Sequence, residues 1–214
     1  MRRSYAPRHK YPNKRRRTRL FLFSGGVALF LLILLGVVLF YGDSGDGDST
    51  ILAQAMKTLS PEEEYPQGAL PAKMLFDKLL LEKNSRKLTA FSGGKPVRVY
   101  LVSLGKEPVG HKAFEGDMRT PEGSYTIDAK SPASAYYKNV GISYPNAEDR
   151  KNALKLGKSP GGDIKIHGLA PHFSALGALH RLTDWTYGCV AVTNPEMEEI
   201  YNRTLVGTPI EIVP

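Results

Sequence analysis

The sequence predicts a mainly β domain with short helices, carried behind one membrane-spanning segment. Three observations predict it. Residues 20–41 form an uncharged apolar run, apolar and polar residues alternate with period two in short stretches from Lys87 onward, and only one strong helix signal, at 194–207, interrupts that alternation. Alternation by two is the signature of a strand with one buried face, whereas a helical face recurs at three and four residues. A chain of 214 residues has room for one such domain plus appendages.

The first element is basic. Residues 1–19 hold nine Lys and Arg and no acid, which leaves 20 basic against 21 acidic residues over the rest of the chain. The net charge of +8 is therefore a property of the tail, and the remainder does not have the basic surface of a nucleic-acid binder. The run at 20–41 follows, and as a helix it would reach roughly 33 Å at ~1.5 Å per residue, enough to cross a bilayer. Arg15, Arg16, Arg17 and Arg19 precede it and Asp43, Asp46 and Asp48 follow. That asymmetry places the N-terminus in the cytoplasm, the run in the inner membrane as a single pass, and the rest of the chain in the periplasm. A cleaved signal peptide fits less well. Its apolar core is shorter, about 7–15 residues, and the only Ala-x-Ala, at Ala53 and Ala55, lies a dozen residues beyond the run.

Residues 42–50 (GDSGDGDST) are a flexible acidic linker by composition. Residues 51–86 read as a helical spacer, broken at Ser60-Pro61 and resumed with Leu75, Leu79 and Glu82 at helical spacing. The domain proper is expected over 87–214. It opens with a hairpin, residues 87–91 and 97–102 around Ser92-Gly-Gly-Lys95, and continues with strands near 123–128, 140–144, 164–167, 189–192 and 209–213. Asn194 as cap, Pro195 at the first position and Gly207 as stop delimit the helix.

Within the domain, two strands carry chemistry. In Ile164-Lys-Ile-His167 the isoleucines share one face, so His167 projects from the other, and Gly168 follows it. Thr186-Tyr-Gly-Cys189 opens a Val-Ala-Val strand with the single cysteine of the chain. A thiol beside an imidazole is an acyl-transfer pair, because the imidazole can take the thiol proton, and glycine before the nucleophile lets the backbone approach a reacting carbonyl. Read alone, a cysteine on an apolar strand is an inert core residue; the His-Gly strand end is what raises the catalytic reading. One cysteine also excludes an intramolecular disulfide framework and a multi-cysteine zinc module, and no histidine has a metal-ligand spacing, so neither metal nor cofactor is expected.

The ordered set Ile164-Lys-Ile-His167-Gly168, Thr186-Tyr-Gly-Cys189-Val190 and Asn194, with Thr120-Pro121-Glu-Gly123 upstream, resembles the L,D-transpeptidase catalytic domain (YkuD-type) family over about 87–214. The resemblance implies a β-sheet or sandwich fold and a Cys189 thioester formed at a diaminopimelate carbonyl of peptidoglycan stem peptides. In that mechanism His167 is the base, the Gly168 carbonyl holds its tautomer, and the amides of Gly188 and Cys189 bind the oxyanion. Substrate contacts are expected from Asp184, Trp185, Thr186 and Tyr187, with Asp184 holding an amine and Arg119 or Arg181 a carboxylate; the alternatives are a turn or cap role for Asp184 and a packing role in the loop for Trp185. Two positions depart from the common motif: Tyr187 stands where a His is usual and Ala191 where an Arg is frequent. With the segment 142–150, they make the chain similar to a divergent branch that includes hydrolases releasing wall-bound lipoprotein. Transpeptidation is the first expectation, hydrolysis the second, and a wall-binding module without catalysis the third. The segment 169–183, between base and nucleophile, is a candidate lid, and its Ala, Gly and Leu residues fit a packed loop equally well.

Overall fold

The structure, a computed structural model, describes residues 68–132 and 135–214; the predicted tail, membrane span, linker and residues 51–67 of the spacer lie outside the described residues. Among the described residues, no helix is long and apolar enough to cross a membrane. Eight strands form the sheet: β1 (Lys78–Glu82), β2 (Lys87–Ser92), β3 (Lys95–Leu101), β4 (Gly123–Ser131), β5 (Asn139–Ile142), β6 (Lys165–His167), β7 (Val190–Ala191) and β8 (Pro209–Val213). Two helices, α1 (Ala147–Lys155) and α2 (Asn194–Arg203), and a 3-10 segment (Pro171–Leu182) complete it.

The order across the sheet is β3-β2-β1-β8-β4-β5-β6-β7. The sheet curls until its edges meet. Just past β3, Ser103 exchanges both backbone hydrogen bonds with Ala191 of β7, at 3.0 and 2.9 Å, and Gly105 bridges Thr186. The core fills the inside of this curl: Leu79 and Leu81 of β1 lie against Ile210 and Ile212 of β8 on one side and Ala90 and Leu88 of β2 on the other, all but fully buried.

The predicted strands from 87 onward are present, with boundaries shifted by a few residues. Residues 78–82 are not part of a helical spacer. They form β1, in the middle of the sheet, because Leu79 and Leu81 alternate inward with period two and their neighbours face outward. A leucine run offers both spacings, and pairing with β2 and β8 selects the strand. The helix α2 is capped by Thr193 rather than Asn194: the Thr193 N–H and hydroxyl both donate to Glu196 Oε2, at 2.9 and 2.6 Å. That frees Asn194 to accept the Leu169 N–H at 2.7 Å. Helix α1, unanticipated, carries a capping box in which Asn146 Oδ1 accepts the Asp149 N–H and Asp149 returns to the Asn146 N–H.

Candidate active site

Strand β6 pairs with β7 in parallel, Ile166 opposite Val190 and His167 opposite Ala191. Ile166 and Val190 point into the core. His167 and Ala191 therefore share the other face, and Cys189, two residues before Ala191, belongs to that face as well. The imidazole and the thiol are diagonal neighbours on adjacent strands, as the alternation implied.

The imidazole is buried, not open to solvent as a strand-face histidine would be. The Tyr136 ring covers it at a centroid distance of 4.3 Å and the Trp185 ring meets it edge-on at 5.8 Å. Its Nδ1 lies 2.7 Å from the Gly168 carbonyl oxygen. A carbonyl only accepts, so Nδ1 carries the proton and Nε2 keeps a lone pair. Gly168 has no alternative at its position. A Cβ there would come 2.6 Å from Asn194 Oδ1 and 2.7 Å from the Tyr137 carbonyl oxygen. Burial pulls the His167 pKa below its usual 6.5, and Lys165 adds to that against the opposing Gly168 carbonyl. Burial also pushes the Cys189 thiol up, opposed by the Lys165 backbone N–H. Both shifts favour the uncharged form of the group, an imidazole without its second proton and a thiol that keeps its proton.

The turn before Cys189 is built by Thr186. Its hydroxyl donates to the Cys189 carbonyl oxygen at 2.7 Å and accepts the Gly188 N–H at 3.1 Å. Gly188 has φ of 124°, and a side chain there would strike the Arg119 carbonyl oxygen. Cys189 Sγ lies 3.7 Å from the Asp163 carbonyl oxygen.

Several expected substrate contacts are otherwise engaged. Asp184 holds Arg86 at 2.7 Å through Oδ2 and accepts the Leu104 N–H at 2.8 Å through Oδ1, so both oxygens take part in fastening the loop to the closing strand. Thr186 is 3% exposed and shapes the turn from within. The Gly188 N–H, expected to bind an oxyanion, is taken by Thr186. Arg181 is paired with Glu196 at 2.5 Å, and the Arg119 guanidinium lies against Gly110. Tyr187 is exposed, with the Lys106 ammonium over its ring at 4.7 Å. Trp185 is the expected aromatic that does reach His167. Tyr136 was missed because nothing local marks it; it arrives from the β4–β5 connection. Ser103 and His180 were missed as well, since their contact depends on the closure of the sheet.

The family model of the L,D-transpeptidase catalytic domain (YkuD) matches residues 77–212. The chain belongs to this family. The match begins at the foot of β1, in agreement with β1 being part of the domain. YafK of Escherichia coli K12, whose name places it among the L,D-transpeptidases, is 29% identical over 120 residues, 55% of this chain and 35% of that one. The chain thus spans about a third of the length of that relative. Among solved structures, the helical cell shape determining protein Pgp2 from Campylobacter jejuni is 27% identical, with a TM-score of 0.47, covering 63% of this chain and 46% of that one. Bd1075 from Bdellovibrio bacteriovorus is 26% identical, with a TM-score of 0.46, covering 67% and 53%.

Proposed function

We propose that this chain is a peptidoglycan-remodelling cysteine acyltransferase, held at the membrane by residues 20–41 with its domain in the periplasm. The observation that carries the reading is the His167–Cys189 diagonal on paired strands, with Nδ1 of the base tied to the Gly168 carbonyl. Cys189 Sγ attacks the carbonyl of a diaminopimelate centre in a stem peptide as His167 Nε2 takes its proton. The collapsing intermediate expels the following residue as an amine, which leaves with that proton. With the Gly188 N–H held by Thr186, the Cys189 amide is the turn's donor for the developing oxyanion.

The thioester passes to an amine in a transpeptidase and to water in a hydrolase. Acyl transfer to Cys189 is common to both, and it is this half of the reaction that the site supports; wall-linked lipoprotein is a substrate under the second. Incubating the full chain in detergent with a disaccharide tetrapeptide should release D-alanine, and Cys189→Ser should abolish the release. Release by Cys189→Ser at the wild-type rate would refute the assignment. The non-catalytic alternative predicts binding without release in both proteins.

A further inference from the structure

A charged pair stands beside Cys189 with no part in the acyl-transfer step. Lys165 opens β6, two residues before His167, and Ile164 and Ile166 on either side of it face the core. Lys165 therefore projects on the outer face with His167. The parallel register sets Ile166 opposite Val190 and His167 opposite Ala191, so one step earlier Lys165 stands across from Cys189. Its Nζ lies 2.6 Å from Asp163 Oδ1. Asp163 touches the thiol as well, through its carbonyl oxygen 3.7 Å from Cys189 Sγ. One residue thus joins the ammonium group and the thiol.

The pair is open to a ligand. The Asp163 side chain is 82% exposed and that of Lys165 33%. After burial and the Lys165 backbone N–H, the influences on the Cys189 pKa are the Asp163 carboxylate, which raises it, and the ammonium groups of Lys165 and Lys112, which lower it. Of these two ammonium groups, that of Lys112 is closed in, between Asp117 Oδ1 at 2.8 Å and the Phe114 carbonyl oxygen at 3.2 Å. Asp163 is held by its backbone: its φ of 60° lies in the left-handed region that Asp and Asn tolerate, so the turn aims the carbonyl at Sγ and leaves the carboxylate in solvent. An ion pair this exposed contributes little to folding, and either partner is free to take up a second one.

We infer that Lys165 and Asp163 read the second amino-acid centre of diaminopimelate, its carboxylate on Lys165 and its ammonium on Asp163. This rests on the acyl-transfer reading of Cys189 and His167. The residue whose carbonyl is attacked carries, at the far end of its side chain, a free carboxylate and a free ammonium on one carbon. A cation and an anion side by side match such a zwitterion, each taking the group of opposite sign. The direction agrees. The departing amine faces His167 to take its proton, and His167 lies two residues further along β6, so the acyl residue is left on the side of Lys165. Its side chain is as long as that of lysine, which lets the second centre reach a charge across the strand pair while the first is at Sγ. The consequence is selection of stem peptides whose second centre carries no cross-link.

The test compares three disaccharide tetrapeptides that differ only at that centre: free, with its carboxylate converted to the carboxamide, and with its amine acetylated. D-Alanine release is followed with the full chain in detergent as kcat/KM, and intact mass identifies the adduct on Cys189. Wild type should prefer the free peptide about tenfold or more over each blocked one. Lys165→Met keeps the aliphatic stem and removes the charge; it should lose or invert the preference against the carboxamide and keep that against the acetylated peptide. Asp163→Asn suits the left-handed turn and removes the opposite charge; it should lose the preference against the acetylated peptide and keep that against the carboxamide. A general distortion of the site would lower all three rates together and leave the preferences in place. Preferences that survive both variants, or a wild type indifferent to both blocks, would overturn the inference. Failure of all three peptides to acylate Cys189 in wild type would instead sink the reading on which it rests.

Discussion

The two flanks of the sheet are held together differently. On one, β1, β2 and β8 run five or six residues each, and their inward positions are leucine, isoleucine and alanine at near-zero exposure. On the other, β6 and β7 have three and two residues, and the face outside the core is organised by side-chain-to-backbone hydrogen bonds: Thr186 across the nucleophile turn, Asn194 to Leu169, Asp184 to Leu104, Ser103 to His180. The first flank derives its stability from apolar area, which is non-directional. The second spends polar groups to fix where single atoms point, and short strands leave the backbone free to turn at Gly168 and Gly188. Stability and geometry are thereby assigned to different regions, and substitutions should separate them.

The largest effect on stability is expected at the first flank. Leu81→Ala removes a fully buried side chain between Leu88 and Ile212 and should cost about 2–5 kcal/mol in denaturant unfolding, with activity per folded molecule unchanged. Loss of activity from folded Leu81→Ala protein would blur the division. Thr186→Val is the counterpart. It should cost only about 1–3 kcal/mol, because the Cys189 carbonyl and the Gly188 N–H lose the hydroxyl that pairs with both, yet lower kcat about tenfold with little change in KM, since the Cys189 and Gly188 backbone is no longer clamped. An unchanged kcat would show that the turn holds its shape without the clamp.

A smaller effect separates the flanks by pH. Burial keeps His167 and His180 neutral in the folded state, so below about 6.5 the unfolded chain binds protons that the native state refuses. Stability should therefore decline as pH falls from 6.5, and for His180 the decline continues to about 4. Thermal unfolding of His180→Asn across that range should show a shallower decline than wild type; an identical slope would mean that His180 does not titrate with unfolding.

This division also explains what could be read from the sequence. The apolar flank is written in local alternation, and the hairpin at 87–101 and the strand at 209–213 were legible for that reason. β1 was not, because Leu79-Leu-Leu81 fits a helix and a strand equally until its two neighbours are present. The placement of His167 and Cys189 on one face of neighbouring strands was legible because alternation decides which residues leave the core. Tyr136, Ser103 and His180 were not, since Tyr136 covers the His167 ring from the β4–β5 connection and the Ser103–His180 contact joins two separate parts of the chain. Asp184, which the sequence leaves open as a substrate contact or a turn acid, has partners that no local pattern marks: the structure engages both of its oxygens in fastening a loop, through Arg86 and the Leu104 N–H.

The central claim is that a neutral His167, on the strand beside Cys189, takes the thiol proton during acyl transfer. The most direct measurement is the rate at which Cys189 is acylated by a disaccharide tetrapeptide, followed by intact mass as a function of pH in wild type and in His167→Gln. The lowered pKa of His167 predicts that the wild-type rate falls only below 6.5 as the imidazole protonates, and that His167→Gln acylates at least ~100-fold more slowly with that acid limb gone. Equal acylation rates for the two proteins, or a tetrapeptide adduct on any residue other than Cys189, would contradict it.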